Sequence, residues 1–304
     1  MLNRRSLLGA APALGLAAPA LAQPAPAWRA RFPELVFASI PAENSAGVTE
    51  RFGSFVEYMS RTLGVPVRLR IANDYAAVVE GQRAGNIHIA QYGPSAFARA
   101  LMTGAPIEAF AIEVNRDGTK GYFSVFYVRA NSPFQTIQDL RGRNIGLVDP
   151  NSTSGNNVPR FALHQMGIVP EQFFGRVVNT GSHENAIIAL QQGTVDVATN
   201  WWNDEQESNL RRMERRNMAR YDDFRIVFRS EQIVNSPTAM LTALPDELKQ
   251  AIRTAFFALP EREPEIFRRM TDGQLRPWEP VTNAAYQPII ELNRFVDNLR
   301  RQRS

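Results

Sequence analysis

Cysteine is absent from this 304-residue chain, which excludes disulfide scaffolds, thiolate nucleophiles, iron–sulfur clusters and cysteine-type zinc sites. Histidine is scarce: His88, His164 and His183 are too far apart for an H-x-x-x-H spacing, so neither a metal nor another cofactor is expected. Lysine is nearly missing as well. Lys120 and Lys249 are the only two among 34 basic residues, and the net charge of +4 is spread along the chain, which argues against a nucleic-acid partner. The densest basic cluster, Arg211, Arg212, Arg215 and Arg216, is broken by Glu214 and reads as a solvated helix face. No late run of about 18 apolar residues occurs, so no stable membrane insertion is expected. What is present is ordinary for a folded protein: 44% hydrophobic and 21% charged residues exclude disorder and low-complexity readings. The length suffices for two packed lobes.

The first residues read as an address. Residues 3–9 are N-R-R-S-L-L-G, an Ala/Leu stretch follows, and Ala20-Leu21-Ala22 fits an A-x-A cleavage pattern. Residues 1–22 are therefore expected to be a cleaved export signal. Adjacent Arg4 and Arg5 resemble a twin-arginine signal, with a general secretory signal as the alternative. Either route places the mature chain, starting near Gln23, outside the cytoplasm.

From Glu34 onward strands and helices alternate. Strands are expected at 35–40, 67–71, 87–90, 121–129, 144–148 and 194–198. Phe52, Phe55, Val56, Met59 and Leu63 give a helical period over 48–63 that stops at Gly64. Further helices are expected at 76–83, 136–140, up to Met166, and 184–192, with a mostly helical C-terminal third. The alternation predicts an α/β architecture. One segment recurs. The run from Tyr75 to Ala90 can be laid over that from His183 to Ala198: a helix opens on a ring-bearing residue, a glycine (Gly85, Gly193) follows ten residues later, and a strand comes next. Two facing lobes built from this unit would point both Tyr75 and His183 into the cleft.

The sharpest local feature is Asp149-Pro150-Asn151-Ser152-Thr153-Ser154-Gly155, between a strand and a helix. Three consecutive hydroxyls beside the unpaired N–H groups and positive end of a helix suit a tetrahedral oxyanion. The same residues would also serve as an ordinary N-cap in a Ser/Thr-rich turn. No G-K-S/T follows, so this is not a nucleotide P-loop. Neither a G-x-S-x-G elbow nor an acid placed to orient His183 is evident, so donors for a bound anion are favoured over catalytic groups.

Together with Val158-Pro159, the D-P-N-S-T-S-G run resembles the signature of periplasmic phosphonate-binding proteins of ATP-driven uptake systems. Asn73-Asp74-Tyr75-Ala76, Ile89-Ala90-Gln91-Tyr92-Gly93, Gly121-Tyr122-Phe123-Ser124-Val125, Gly181-Ser182-His183-Glu184-Asn185-Ala186 and Val195-Asp196-Val197-Ala198-Thr199-Asn200 are similar to that family too. The resemblance implies a two-lobed α/β type II periplasmic binding fold with a two-segment hinge, lobe 1 from 33–124 and 230–304 and lobe 2 from 125–229. It implies that Ser152, Thr153 and Ser154 hold a phosphonate with His183 and Tyr122 as further donors. Tyr75 would flank the organic substituent, Tyr92 would lie near the cleft wall, and of Trp201 and Trp202 one would line the pocket and the other pack beneath it.

This chain departs from the family's pattern where aminoalkyl ligands find two carboxylates: the matching positions are Asn203, followed by Asp204 and Glu205, and Ser236 before Pro237. Asn and Ser pair an ammonium poorly, so a neutral or very small substituent is expected to be preferred. The resulting expectation is a non-enzymatic periplasmic receptor that captures a phosphonate or related phosphorus oxyanion for a permease and ATPase complex. Phosphite, phosphate or a phosphate ester is the alternative ligand. A secreted hydrolase using Ser152 or Ser154 with His183, or the sensing subunit of a signalling system, is the alternative of another class.

Overall fold

The computed structural model describes residues 26–302. The expected export signal at 1–22 lies outside the described residues. Four strands, β1 (Leu35–Ser39), β2 (Val67–Arg70), β3 (Ile89–Gln91) and β4 (Ile107–Asn115), open the first sheet. The chain then crosses through 116–120 into the second sheet, made of β5 (Gly121–Arg129), β6 (Asn144–Leu147), β7 (Arg176–Asn179), β8 (Val197–Trp202), β9 (Phe224–Arg229) and β10 (Ile233–Val234). It returns through Asn235 and Ser236 to the first sheet as β11 (Pro237–Leu241) and β12 (Leu275–Pro280). Strand orders are β12-β4-β11-β3-β1-β2 and β10-β5-β8-β6-β7, with β9 also on β5. The two α/β lobes and their two-segment connection match the expected fold class. β5 and β10 pair wholly within the second sheet, so the crossings run before β5 and after β10.

Both lobes share one β-α-β-α-β unit. In lobe 1, β1 pairs in parallel with β2 and β3; in lobe 2, β6 pairs in parallel with β7 and β8. The recurring sequence segment is the last helix–strand step of each unit. Its helices, Tyr75–Arg83 and His183–Gln191, begin at the two matched ring residues, capped by Asp74 and Ser182. Gly85 and Gly193 follow in left-handed conformation, φ 78 and φ 74. Such a unit directs the carboxyl ends of its parallel strands toward one edge, where α/β sheets bind ligands. The chain after β1, β3, β6 and β8 lines the cleft accordingly.

Helix Ser45–Leu63 is capped by Asn44, whose side chain accepts from Gly47 N at 2.9 Å, and ends at Gly64. Its apolar face supplies Phe52 and Phe55 to an aromatic core: Phe55 meets Phe37 at 5.0 Å and Phe256 at 5.7 Å between ring centroids. The C-terminal third holds more strand than expected. β11 is wholly buried between β3 and β4, and its partners lie far away in sequence, so local patterning did not mark it. Helix Gln287–Arg301 straps the lobes together. Asp297 takes both guanidinium nitrogens of Arg99 in lobe 1 at 2.7 and 2.8 Å, while Asn293 accepts from Asn157 Nδ2 of lobe 2 at 2.8 Å.

Candidate ligand-binding site

Between the lobes lies a cavity of about 120 Å³. An engineered cavity of about 150 Å³ holds benzene, so this one suits a ligand of a few heavy atoms. Its two ends differ in chemistry.

The first end is built on the loop after β6. Ser152 N donates to Asp149 O at 2.8 Å, and the chain then makes a single π turn, Thr153–Asn157, closed by Asn157 N donating to Ser152 O at 3.0 Å. Such wide turns concentrate at functional sites. Gly155 fixes the turn: its N–H donates to Ser152 Oγ at 3.1 Å, and its carbonyl accepts from Val148 N at 2.9 Å and Thr199 Oγ1 at 2.7 Å. A Cβ at this position would lie 2.4 Å from Val148, so only glycine fits. Ser152, Thr153 and Ser154 all line the cavity.

Thr153 also reaches across to lobe 1. Helix Pro94–Met102 begins after Gly93, which has no side chain to cap it. Thr153 Oγ1 takes that role by accepting from Ser95 N at 2.8 Å. The hydroxyl proton stays available, since a hydroxyl accepts and donates at once. Tyr122 sets its phenol against Thr153 and Ser154. Tyr75 stands beside Ser152 and Asp149, and its N–H donates to Asp149 Oδ2 at 3.4 Å. Burial pushes both phenols above the ordinary tyrosine range, and Asp149 adds to this for Tyr75, so both remain neutral O–H groups.

His183 Nε2 lies 3.3 Å from Ser152 Oγ. Burial, aided by Arg212 and opposed by Asn200, brings its pKa down to about 3, so a neutral ring with one N–H faces the cavity. Among the described residues, Tyr75 Oη and His183 Nδ1 are buried without a hydrogen-bond partner. Orphaned polar atoms at a cavity wall call for an explanation, and a ligand supplies one. Helix N-termini from both lobes converge here: Tyr75–Arg83 and Pro94–Met102 from one, the π turn and His183–Gln191 from the other. Their positive ends favour an anion.

The second end carries charge. Glu43, Glu113 and Glu207 line it with Arg51 and Arg212. Glu43 accepts from Arg51 at 2.6 Å and from Arg216 at 2.6 Å. Burial, which would raise its pKa, is outweighed by Arg51, Arg212 and Arg216, and the carboxyl is held at about 2. Arg212 pairs with Glu207 at 3.4 Å and Asp272 at 2.6 Å, and lies 5.0 Å from the Trp201 ring centroid. Glu113 has no ion pair among the described residues; Gln91 Nε2 donates to it at 2.6 Å. Burial pushes its pKa upward against Arg51 and Arg212.

The other expected residues fall as follows. Trp201 lines the cavity, and buried Trp202 packs on Phe123 at 5.8 Å. Tyr92 borders the cavity but is bound into the core, its hydroxyl donating to Gln82 Oε1 at 2.8 Å. Asn203 and Ser236 line the cavity at the hinge, where Asn203 Nδ2 donates to Asn115 Oδ1 at 3.1 Å. Asp204 does not line it. Its carboxylate turns outward and accepts from Gln206 N at 2.7 Å and Glu207 N at 2.9 Å, closing the turn that brings Glu207 inward. The arginine cluster is not a solvated face either: Arg212 and Arg216 are 13% and 18% exposed and pair across the cleft. The five charged residues were not foreseen, because they come from separate elements and no spacing marks them. Ser95 was also missed, although proline after Gly93 is a helix-start signal.

Residues 37–286 match the family model described as the periplasmic substrate-binding protein of a phosphonate ABC transporter. This chain belongs to that family. The phosphonates-binding periplasmic protein of Escherichia coli is 31% identical over 257 residues, covering 80% of this chain and 74% of the relative. The phosphate-import protein PhnD of Mycolicibacterium smegmatis is 28% identical over 275 residues, covering 85% and 84%. Among solved structures, the binding protein component of a phosphonate ABC transporter from Pseudomonas aeruginosa superposes with a TM-score of 0.78 at 29% identity, covering 86% of each chain. PhnD1 from Prochlorococcus marinus, solved with methylphosphonate, gives 0.77 at 20% identity, covering 87% of this chain and 98% of that one, and supports the fold. The family model and the curated relatives thus agree with the sequence motif, and the two-lobed topology is consistent with them.

Proposed function

We propose that this phosphonate-binding family member is a periplasmic receptor that holds a phosphorus oxyanion at Ser152, Thr153, Ser154, Tyr75, Tyr122 and His183 and passes it to a permease and ATPase complex. The observation that carries the reading is the convergence of neutral O–H and N–H donors and helix N-termini on one end of a small cavity. An oxyanion offers acceptors to all of them, and charge-assisted hydrogen bonds are the strong ones. Lobe closure excludes water from the contact. The Ser152–His183 pair argues against a hydrolase: among the described residues no carboxylate orients His183 Nδ1, and a ring with a pKa of about 3 is a weak base.

The charged end bears on the substituent. Three carboxylates face two guanidiniums there, both guanidiniums are already ion-paired, and Glu113 is not. A substituent that donates hydrogen bonds, an ammonium above all, would find a partner in Glu113. This reverses the preference argued from Asn203 and Ser236, since the fold brings carboxylates from elsewhere. Calorimetric titration with methylphosphonate, ethylphosphonate, 2-aminoethylphosphonate, phosphite and phosphate tests both parts. Saturable binding without turnover of at least one is expected. Binding of none would overturn the receptor reading; ethylphosphonate binding more tightly than its amine counterpart would overturn the role of Glu113.

A further inference from the structure

Outside the ligand cavity, the lobes enclose a second concavity of about 340 Å³ whose wall carries six guanidiniums. We propose that this basin is a second anion site, suited to an oligophosphate chain. Lobe 1 contributes Arg51, Arg268 and Arg269, and lobe 2 contributes Arg212, Arg215 and Arg216; Glu50 and Asp272 are the only acids in the wall.

Most of the carboxylates that hold the deep arginines lie behind them; Asp272, in the wall itself, also pairs with Arg212 at 2.6 Å and with Arg215 at 3.8 Å. Glu43, Glu184 and Glu207 have side chains 3%, 2% and 6% exposed, and they fix Arg51, Arg216 and Arg212 from the inner side. Arg51 uses Nε on Met270 O at 3.0 Å and Nη1 on Glu43. Arg216 uses Nη1 alone, on Glu43 and Glu184. A guanidinium has five N–H donors, so the positioned groups keep donors for a further anion. At the rim, Arg268 pairs with the exposed Glu265, and Arg269 forms no ion pair among the described residues, donating to Ser54 Oγ at 3.2 Å.

Arginine forks match phosphoryl oxygens bidentately, and six around one hollow exceed what a single monoanion engages. Among the described residues the wall contains no aromatic or apolar side chain, so it offers no hydrophobic surface and its recognition is by charge and hydrogen bonds. A compact oligoanion fits these conditions. Because both lobes build the basin, occupancy favours the closed arrangement and must couple to the cleft. Arg51 and Arg212 line both hollows, so the phosphate chain belongs either to a free oligophosphate or to the tail of a ligand whose end sits in the cleft.

The test titrates tripolyphosphate into wild type and into Arg268→Glu/Arg269→Glu, at constant ionic strength, with and without saturating methylphosphonate. Both substituted residues are exposed and outside the ligand cavity, so methylphosphonate affinity is expected to stay within about twofold of wild type, while tripolyphosphate affinity falls at least about tenfold. Arg215→Glu, from the other lobe, should weaken tripolyphosphate in the same direction. Tighter tripolyphosphate binding with methylphosphonate present identifies a free anion in the basin; competition that is still weakened by the arginine variants identifies the tail of a cleft ligand. Absence of tripolyphosphate binding at millimolar concentration, or equal binding by wild type and variants, overturns the proposal. Methylphosphonate failing to bind would count against the cleft reading alone, since the variants test the basin without it.

Discussion

The two ends of the ligand cavity reach specificity by different physics. At the hydroxyl end no charged side chain is required: short contiguous stretches place Ser152, Thr153, Ser154 and two helix starts so that neutral donors and helix dipoles converge. At the other end Glu43 pairs with Arg51 in lobe 1 and Glu207 with Arg212 in lobe 2, while Glu113 is left without an ion pair among the described residues. On the proposed reading, the first arrangement would hold an anion while Tyr75, Tyr122 and His183 stay un-ionised through the neutral pH range. The second is sensitive to single charges. Affinity should therefore reside in the first and substituent choice in the second, and each of the following measurements can separate or merge those roles.

The largest effect is expected from Gly155→Val. Any Cβ there meets Val148 at 2.4 Å, so the π turn must open and the hydroxyls leave their positions. Losing two charge-assisted hydrogen bonds at about 1.5–3 kcal/mol each implies at least a hundredfold weaker binding of the best phosphorus oxyanion by calorimetry. Near wild-type binding would show that the hydroxyl end is not the affinity end. Thr153→Ala comes next, at roughly 10–100-fold, because it removes one donor and the cap on Ser95 N. Thr153→Ser, which keeps the hydroxyl, should recover most of the loss; equal weakening in both variants would assign the effect to packing.

A third measurement addresses ionisation. The unfolded imidazole of His183 takes its proton near pH 6.5 and the folded one near 3, so between those values the unfolded state binds the extra proton. Stability contributed by neutral His183 is complete above pH 6.5 and is lost as pH falls, by about 1.4 kcal/mol per unit through that window. Glu113, Glu207 and Asp149, whose burial raises their pKa, act in the opposite direction. Denaturant unfolding of wild type and His183→Gln across pH 4–7 isolates the imidazole, and parallel curves would mean that the ring is solvated. The smallest effect is expected from Glu113→Gln, which should leave methylphosphonate within about twofold and lower the preference for 2-aminoethylphosphonate over ethylphosphonate by about tenfold. An unchanged preference would move the amine partner to Glu43 or Glu207.

Legibility in the sequence followed locality. The helix from Tyr75, the helix from His183 and the strand before the hydroxyl loop could be read because apolar period, cap and glycine stop lie within one stretch of chain. β4, β11 and β12 were not read, since their pairing joins segments more than a hundred residues apart. β4 and β11 are moreover buried along nearly their whole length, which leaves no alternation to see, and β12 is an edge strand that buries only Trp278. The same contrast separates Ser152 and His183, recognised from their own neighbourhoods, from Glu113, which is just another strand residue until Gln91 and the facing arginines surround it.

The sequence by itself determined the α/β units, the repeated helix–strand step and the hydroxyl loop, because hydrogen bonds within a few residues and the shape of glycine decide them. Only the tertiary structure decided which charges meet. Asp204 and Glu207 stand three residues apart, yet one closes an outward turn and the other is buried against Arg212 and Arg215. Arg211, Arg212 and Arg215 on one short helix, with Arg216 at its C-cap, divide between solvent and the cleft. A side chain's charge is written in the sequence, but its electrostatic worth depends on burial and on partners brought in by the fold, and those exist only after the two lobes have packed together.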